Sequence, residues 1–85
     1  MYYQSVMLVS KYDNLRRAKE LREGRDLPIR TVAKESGVAS STVQRVKKAE
    51  VENVTVATIA RLCAYFEAQS ISDLLEWVPD PKTEQ

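Results

Sequence analysis

The sequence predicts an all-α fold: a compact bundle of about five short helices, preceded by a short N-terminal apolar arm or strand. Three observations predict it. Apolar residues recur three and four positions apart along most of the 85 residues, as one buried helix face requires. Residues that cap or break helices bound each of those stretches. Only residues 1–11 (MYYQSVMLVSK) are aromatic and β-branched without polar alternation. The length suits one domain, with a core that is small but sufficient without staples.

The elements follow in order. Residues 1–11 are too short a run for periodicity to decide. They read as a strand, pairing with a symmetry mate, or as an arm packed on the body. Residues 13–24 read as a first helix with Asp13 or Asn14 as its N-cap. Leu15, Ala18 and Leu21 form its inward face, and Gly24 closes it. A second helix spans 28–36, with Pro28 in its first turn and Ile29, Val32 and Ala33 inward. Gly37 breaks it. A third runs from Ser40, its N-cap, to Ala49, with Val43 and Val46 inward. Thr55 caps a fourth over 56–67, whose inward set is Val56, Ile59, Leu62, Cys63 and Phe66. Ser70-Ile71-Ser72-Asp73 has the form of a capping box. It opens a fifth helix carrying Leu74, Leu75 and Val78, which Pro79 and Pro81 stop. The organisation is therefore an arm (1–11), a body (12–78) and a tail (79–85).

Composition removes several function classes. Apolar runs such as Val6–Val9 are far short of the roughly 20 residues that span a bilayer. The N-terminus lacks the form of a signal peptide. One cysteine and no histidine exclude a zinc site of the usual ligands and the Ser-His and Cys-His catalytic pairs. Two glycines make no phosphate loop. The expectation is a cytoplasmic non-enzyme with no cofactor, no metal and no membrane partner. Cys63, on an inward face, reads as a small buried hydrophobe. Phe66 reads as core.

Net charge is +1, which taken whole argues against a nucleic-acid partner. Its distribution argues otherwise. Residues 11–48 hold eleven Lys/Arg and five acids, a net of +6. Residues 49–85 hold two bases and seven acids, a net of −5. Such a division suggests one face for a polyanion and another for something else. Within the basic stretch, Glu20 and Glu23 interleave with Arg16, Arg17, Lys19 and Arg25, so ordinary helical ion pairs explain most of those cations.

The informative stretch is Ile29–Lys48, IRTVAKESGVASSTVQRVKK. A small residue, Ala33, stands where two helices would cross. Gly37 accepts the positive φ of a tight turn. Val38 plugs the angle, and Val43 and Val46 hold the second helix inward. Ser40, Ser41, Gln44, Arg45 and Lys48 remain on a polar face free of acid. Each can donate hydrogen bonds to base edges or phosphates; the plainer reading is a solvated helix face.

With LRRAKELREGRDLP before it and TVATIARLCAYFEAQSISDLLEW after it, this stretch resembles the helix-turn-helix regulators of the phage-repressor/Cro type, also called the xenobiotic-response-element type. The resemblance runs from about Leu15 to Trp77. It implies sequence-specific binding of double-stranded DNA, as a homodimer on a palindromic operator, with the third helix in the major groove. Carried over, it makes Ser40, Ser41, Gln44 and Arg45 base contacts. Arg45 leads, because a guanidinium pairs bidentately with guanine. Arg30, Lys34, Thr42 and Lys48 become phosphate contacts. Leu74, Leu75, Trp77 and Val78 form a candidate dimer interface, with Trp77 capping the core as the alternative.

The chain departs from the family pattern at named positions. Ile29 replaces a phosphate-clamping Gln. Lys47 replaces an acid, so Arg22 is expected to face a like charge unless Glu50 substitutes. Glu50 and Glu52 stand where basic residues usually touch the backbone. Glu67 and Ala68 stand where a glycine usually closes the fourth helix. These acids and the apolar arm suit a second reading, a protein–protein module on the same scaffold, antitoxin-like or adaptor, with a protein partner. The first reading is a small repressor-like regulator, nucleoid-associated in the cytoplasm.

Overall fold

Among the described residues, four helices form where the apolar spacing places them, and the first and last described segments pair as strands. The computed structural model describes residues 6–79: β1 (Val6–Ser10), α1 (Tyr12–Glu23), α2 (Ile29–Ser36), α3 (Ser40–Lys47), α4 (Val56–Phe66), a 3₁₀ turn (Ile71–Asp73) and β2 (Leu75–Pro79). Residues 1–5 of the expected arm and 80–85 of the expected tail lie outside that range. Among the described residues, no helix is long and apolar enough to cross a membrane.

The expected fifth helix is corrected to a strand. β2 pairs antiparallel with β1, from Val6 opposite Pro79 to Ser10 opposite Leu75. The Lys11 amide donates to the Leu74 carbonyl at 2.7 Å and extends the ladder. A short apolar run holding Trp and Val takes either form locally, and here the partner strand decides. The fold is thus a helical bundle with a two-stranded ribbon, not all-α. The arm does not stand apart from the body: it pairs with the chain's own last strand. Neither half of the capping box forms, since its acid should accept from the Ser70 amide and its serine from that of Asp73. Asp73 accepts instead from the Gln69 amide at 2.9 Å, and the Ser70 hydroxyl lies 2.8 Å from that of Ser72 and caps nothing.

Helix α1 turns a different face inward from the expected one. It starts at Tyr12, whose amide donates to the Ser10 hydroxyl at 3.3 Å; Asp13 and Asn14 lie within the first turn. Tyr12 and Lys19 are buried with Leu15 half-buried, while Ala18 is exposed and Leu21 is 86% exposed. Three-residue steps lag a 3.6-residue turn, so Leu21 has rotated about 120° off Leu15's face. Tyr12, Leu15 and Lys19, spaced by three and four, keep to it. In α4, Leu62, Cys63 and Phe66 are buried and Ile59 is half-buried, but Val56, in the first turn, is 71% exposed. Thr55 caps this helix as expected, accepting from the Thr58 amide at 3.1 Å.

The core gathers Tyr12, Leu27, Val32, Val38, Val43, Val46, Leu62, Phe66 and Leu74 around the helix crossings. The Tyr12 and Phe66 rings meet edge to face at 5.3 Å between centroids. Burial pushes the Tyr12 hydroxyl up to about 12. Burial likewise raises the Cys63 thiol, as suits a residue used for packing.

A polar ring ties three helices together at the edge of this core. Lys19, only 6% exposed, meets Glu23 at 2.8 Å. Glu23 meets Arg25 at 2.8 Å, and Arg25 holds both oxygens of Glu35 at 2.7 Å. Glu35 also accepts from the Tyr65 hydroxyl at 2.7 Å, and the Lys19 ammonium lies 4.6 Å from the Tyr65 ring centre, closing the circuit. The Arg25 fork first, and the Tyr65 hydroxyl second, hold the Glu35 carboxyl at about 2. Hydrogen bonds from Lys19 and Arg25 lower Glu23 as well.

This predicts an acid-side loss of stability. A carboxyl held below its ordinary 4.5 in the folded chain contributes stability that is complete above that value and is lost as pH falls toward 2. Melting temperatures between about pH 5 and 2 should therefore fall in the parent. In Glu35→Gln they should start lower and fall less steeply. Parallel slopes would show that Glu35 is not held low.

Candidate nucleic-acid interface

The geometry of α2 and α3 is set by one backbone turn. The Pro28 carbonyl accepts the first bond of α2, from the Val32 amide at 3.0 Å. The helix ends at Gly37, with φ at 75°, and both the Gly37 and Val38 amides donate to the Ala33 carbonyl, at 3.0 and 3.2 Å. This left-handed closure satisfies a carbonyl that the helix end leaves free. Val38 then turns into the core, and α3 begins after Ala39. Arg61 of α4 reaches the Gly37 carbonyl at 3.4 Å and braces the turn from behind.

Val43 and Val46 are fully buried, which fixes the rotation of α3. Ser40, Ser41, Gln44 and Arg45, the expected base contacts, are all exposed on its outer side. Ser40 does not cap the helix; Ala39 holds that position, without a side-chain bond. Among the described residues, the side chains of Ser40, Ser41 and Gln44 have no hydrogen-bond partner within the chain. Arg30, Lys34 and Lys48 are exposed as well, and Thr42 is half-buried.

Ion pairs sort the basic residues into two sets. Lys11 meets Glu76, Arg16 meets Asp13 and Glu20, Lys19 meets Glu23, and Arg25 meets Glu23 and Glu35. Arg22 meets Glu67 at 3.5 Å, not Lys47 or Glu50, so the expected like-charge pair does not form. Arg17, Arg30, Lys34, Arg45, Lys47 and Lys48 have no carboxylate partner among the described residues. The first set is engaged within the fold, and the second is left without a carboxylate. Arg17 and Lys47 join that second set against the sequence reading. Arg16 takes both acids within reach of Arg17. Lys47 has no acid within its helix.

Ile29 is half-buried against the core, on the inward side of α2 as expected. Other residues move out of the roles expected of them. Leu74 is fully buried and Leu75 is 7% exposed, so neither offers a surface; of the candidate dimer patch only Trp77, 54% exposed, and the half-buried Val78 remain outside the core. Burial of that pair follows from the strand, which turns Leu75 inward at the base of the ribbon. Glu50 and Glu52 do not stand behind the basic face: they line a groove that Arg45 also lines. Among the described residues, no three His, Cys, Asp or Glu side chains are grouped as metal ligands.

Helix α3 closes without a glycine. Ala49, with φ at 62°, donates to the Val46 carbonyl at 3.0 Å, and the Glu50 amide donates to that of Arg45 at 2.8 Å. Glu67 closes α4 the same way, with φ at 60°.

The family model of the Cro/C1-type helix-turn-helix DNA-binding domain matches residues 17–80, most of the chain and all four helices but for the start of α1. No curated protein and no solved structure gives a significant match.

The two kinds of helix end predict opposite outcomes. A Cβ at Gly37 meets nothing within 4 Å, so Gly37→Ala should cost only the conformational term, about 1–2 kcal/mol. Ala49→Gly should relieve the same strain and gain up to about 1 kcal/mol after the looser unfolded chain is counted. Urea unfolding of both variants against the parent measures this. A stable Gly37→Ala would show that the turn does not need its positive φ.

Proposed function

The chain belongs to the Cro/C1-type helix-turn-helix DNA-binding family, and from that premise we propose that it binds a specific duplex operator as a homodimer and acts as a small repressor-like regulator. Cro/C1-type domains are DNA-binding regulators rather than enzymes. One observation carries the finer reading. The outer face of α3 presents Ser40, Ser41, Gln44 and Arg45, all exposed and without acid, beside cations that the fold leaves unpaired.

In this reading α3 lies in the major groove. Arg45 pairs with a guanine edge, Gln44 presents an amide to the next base, and the two serines reach bases or a phosphate near the start of the helix. Arg30, Lys34, Thr42 and Lys48 hold the backbone on either side. They fix register and orientation without reading sequence. Occupancy of the operator blocks or assists polymerase, and the setting is the cytoplasm, in association with the nucleoid.

A second reading is favoured by a separate observation. The loop after α3 carries Glu50 and Glu52, both exposed and without an ion pair among the described residues. Acids beside the groove-entering helix repel phosphate. They suit an adaptor or antitoxin-like module that uses the same scaffold for a protein partner.

Selection of bound sites from a random duplex pool separates the two. Specific binding should yield a palindromic consensus whose half-site spacing reports the dimer. On that site Arg45→Ala should cost about 1–3 kcal/mol and relax the choice at one base pair. Lys48→Ala should weaken all duplexes alike and reduce the salt slope by about one. No retained duplex at low salt would favour the adaptor. An Arg45→Ala variant that binds cognate and random DNA like the parent would remove α3 from base reading.

A further inference from the structure

A two-stranded sheet by itself is marginal in water, and the β1–β2 ribbon has no third strand on either edge among the described residues. Of six large apolar side chains left exposed among those residues, three lie on it: Leu8, Val9 and Trp77. Leu8 and Trp77 are direct cross-strand partners, so their side chains share one face. On that face Leu8 forms one side of an open groove of about 600 Å³. Half-buried Ala49 and Val51 supply its apolar part, and exposed Glu50, Glu52 and Asn53 line it with oxygen acceptors.

We propose that this groove receives Trp77 of a second copy of the chain, so that the ribbon face and the loop after α3 together form the two-fold interface of the homodimer. The inference rests on the homodimer reading above and gives it a location. A two-fold contact uses the same patch on both partners. Here the knob, Trp77, and the hole adjoin each other through Leu8 on one face, as that symmetry requires. An indole brings an apolar body and a single N–H donor that needs an acceptor once buried. The groove offers apolar surface and carboxylates with no ion-pair partner among the described residues. The same carboxylates repel a phosphate, which favours a neutral indole over a nucleic-acid backbone as the occupant between them. Lys11 and Glu76 of the ribbon neutralise each other at 2.9 Å, so the two ribbons meet without a like-charge penalty. Arg45 also lines the groove. The contact therefore stands beside α3 and sets where the second copy's α3 lies.

Trp77 is the chain's single tryptophan, so its emission reports this site alone. The test is a dilution series of the full chain without DNA, with mass read by sedimentation equilibrium and tryptophan emission read in parallel. The expected result is a dimer whose emission moves to longer wavelength, and whose quenching by acrylamide rises, as it dissociates. Trp77→Ala should weaken the dimer at least about tenfold. Leu8→Arg, which keeps the tryptophan and fills the groove, should leave emission at the dissociated position at every concentration, with helix content by circular dichroism unchanged. A dimer whose tryptophan stays as accessible as in the dissociated chain would overturn this interface and leave the homodimer standing. A monomer at every concentration would overturn both. Retention of duplex in a gel shift is scored separately, so neither result is confused with failure of DNA binding.

Discussion

The angle between α2 and α3 rests on one residue with a positive φ followed by one buried valine. Gly37 turns the chain through a conformation that side-chain-bearing residues resist, and its amide closes α2 on Ala33. Val38 then locks the turn by entering the core. Had α3 left at another angle, Val43 and Val46 would not both be buried, and the face opposite them would not be free. The exposure of Ser41, Gln44 and Arg45 follows from packing on the other side of the same helix.

The second constraint is the division of charge. A net of +6 in residues 11–48 sounds like a uniform basic surface. The structure pairs five of those eleven cations with carboxylates, two of them in the ring of Lys19, Glu23, Arg25, Glu35 and Tyr65. The ring joins α1, its following loop, α2 and α4, and so holds the helix-turn-helix against the rest of the bundle. Surface ion pairs taken singly contribute little. A closed circuit with a two-pronged arginine and a near-buried lysine orders several elements at once. Of the cations left over, Arg45, Lys47 and Lys48 stand on α3 or at its end, Arg30 and Lys34 on α2, and Arg17 on α1.

Much of this was legible in the sequence, and the failures have physical causes. The turn was readable because its demands are local: a glycine for φ, an apolar plug, and two valines three apart. The exposed side of α3 followed from those valines. What failed depended on distant parts of the chain. Leu74–Val78 is apolar enough for a helix, and only its pairing with residues 65 or more positions earlier makes it a strand. That error carried Leu74 and Leu75 into a surface patch when they are core. The face of α1 is not legible because one of its buried residues is a lysine: Lys19 sets its ammonium over the Tyr65 ring and pairs it with Glu23. The partners of Arg22 and Arg25, Glu67 and Glu35, were likewise too distant in sequence to name.

The ribbon has a consequence for how the chain assembles. Its strands come from opposite ends of the described residues, so joining them closes almost the whole polypeptide into a loop. The contacts of α2 with α3 are local, whereas α1 meets α4 across the intervening helices, and the ribbon brings together segments separated by all four helices. Loop closure grows only slowly with length, so the added entropic penalty is modest. The ribbon has both outer edges unpaired among the described residues. In the folded chain the ribbon is then the element whose backbone amides open most readily by local fraying. Leu74 and Leu75, at its base, remain with the core when its tip opens.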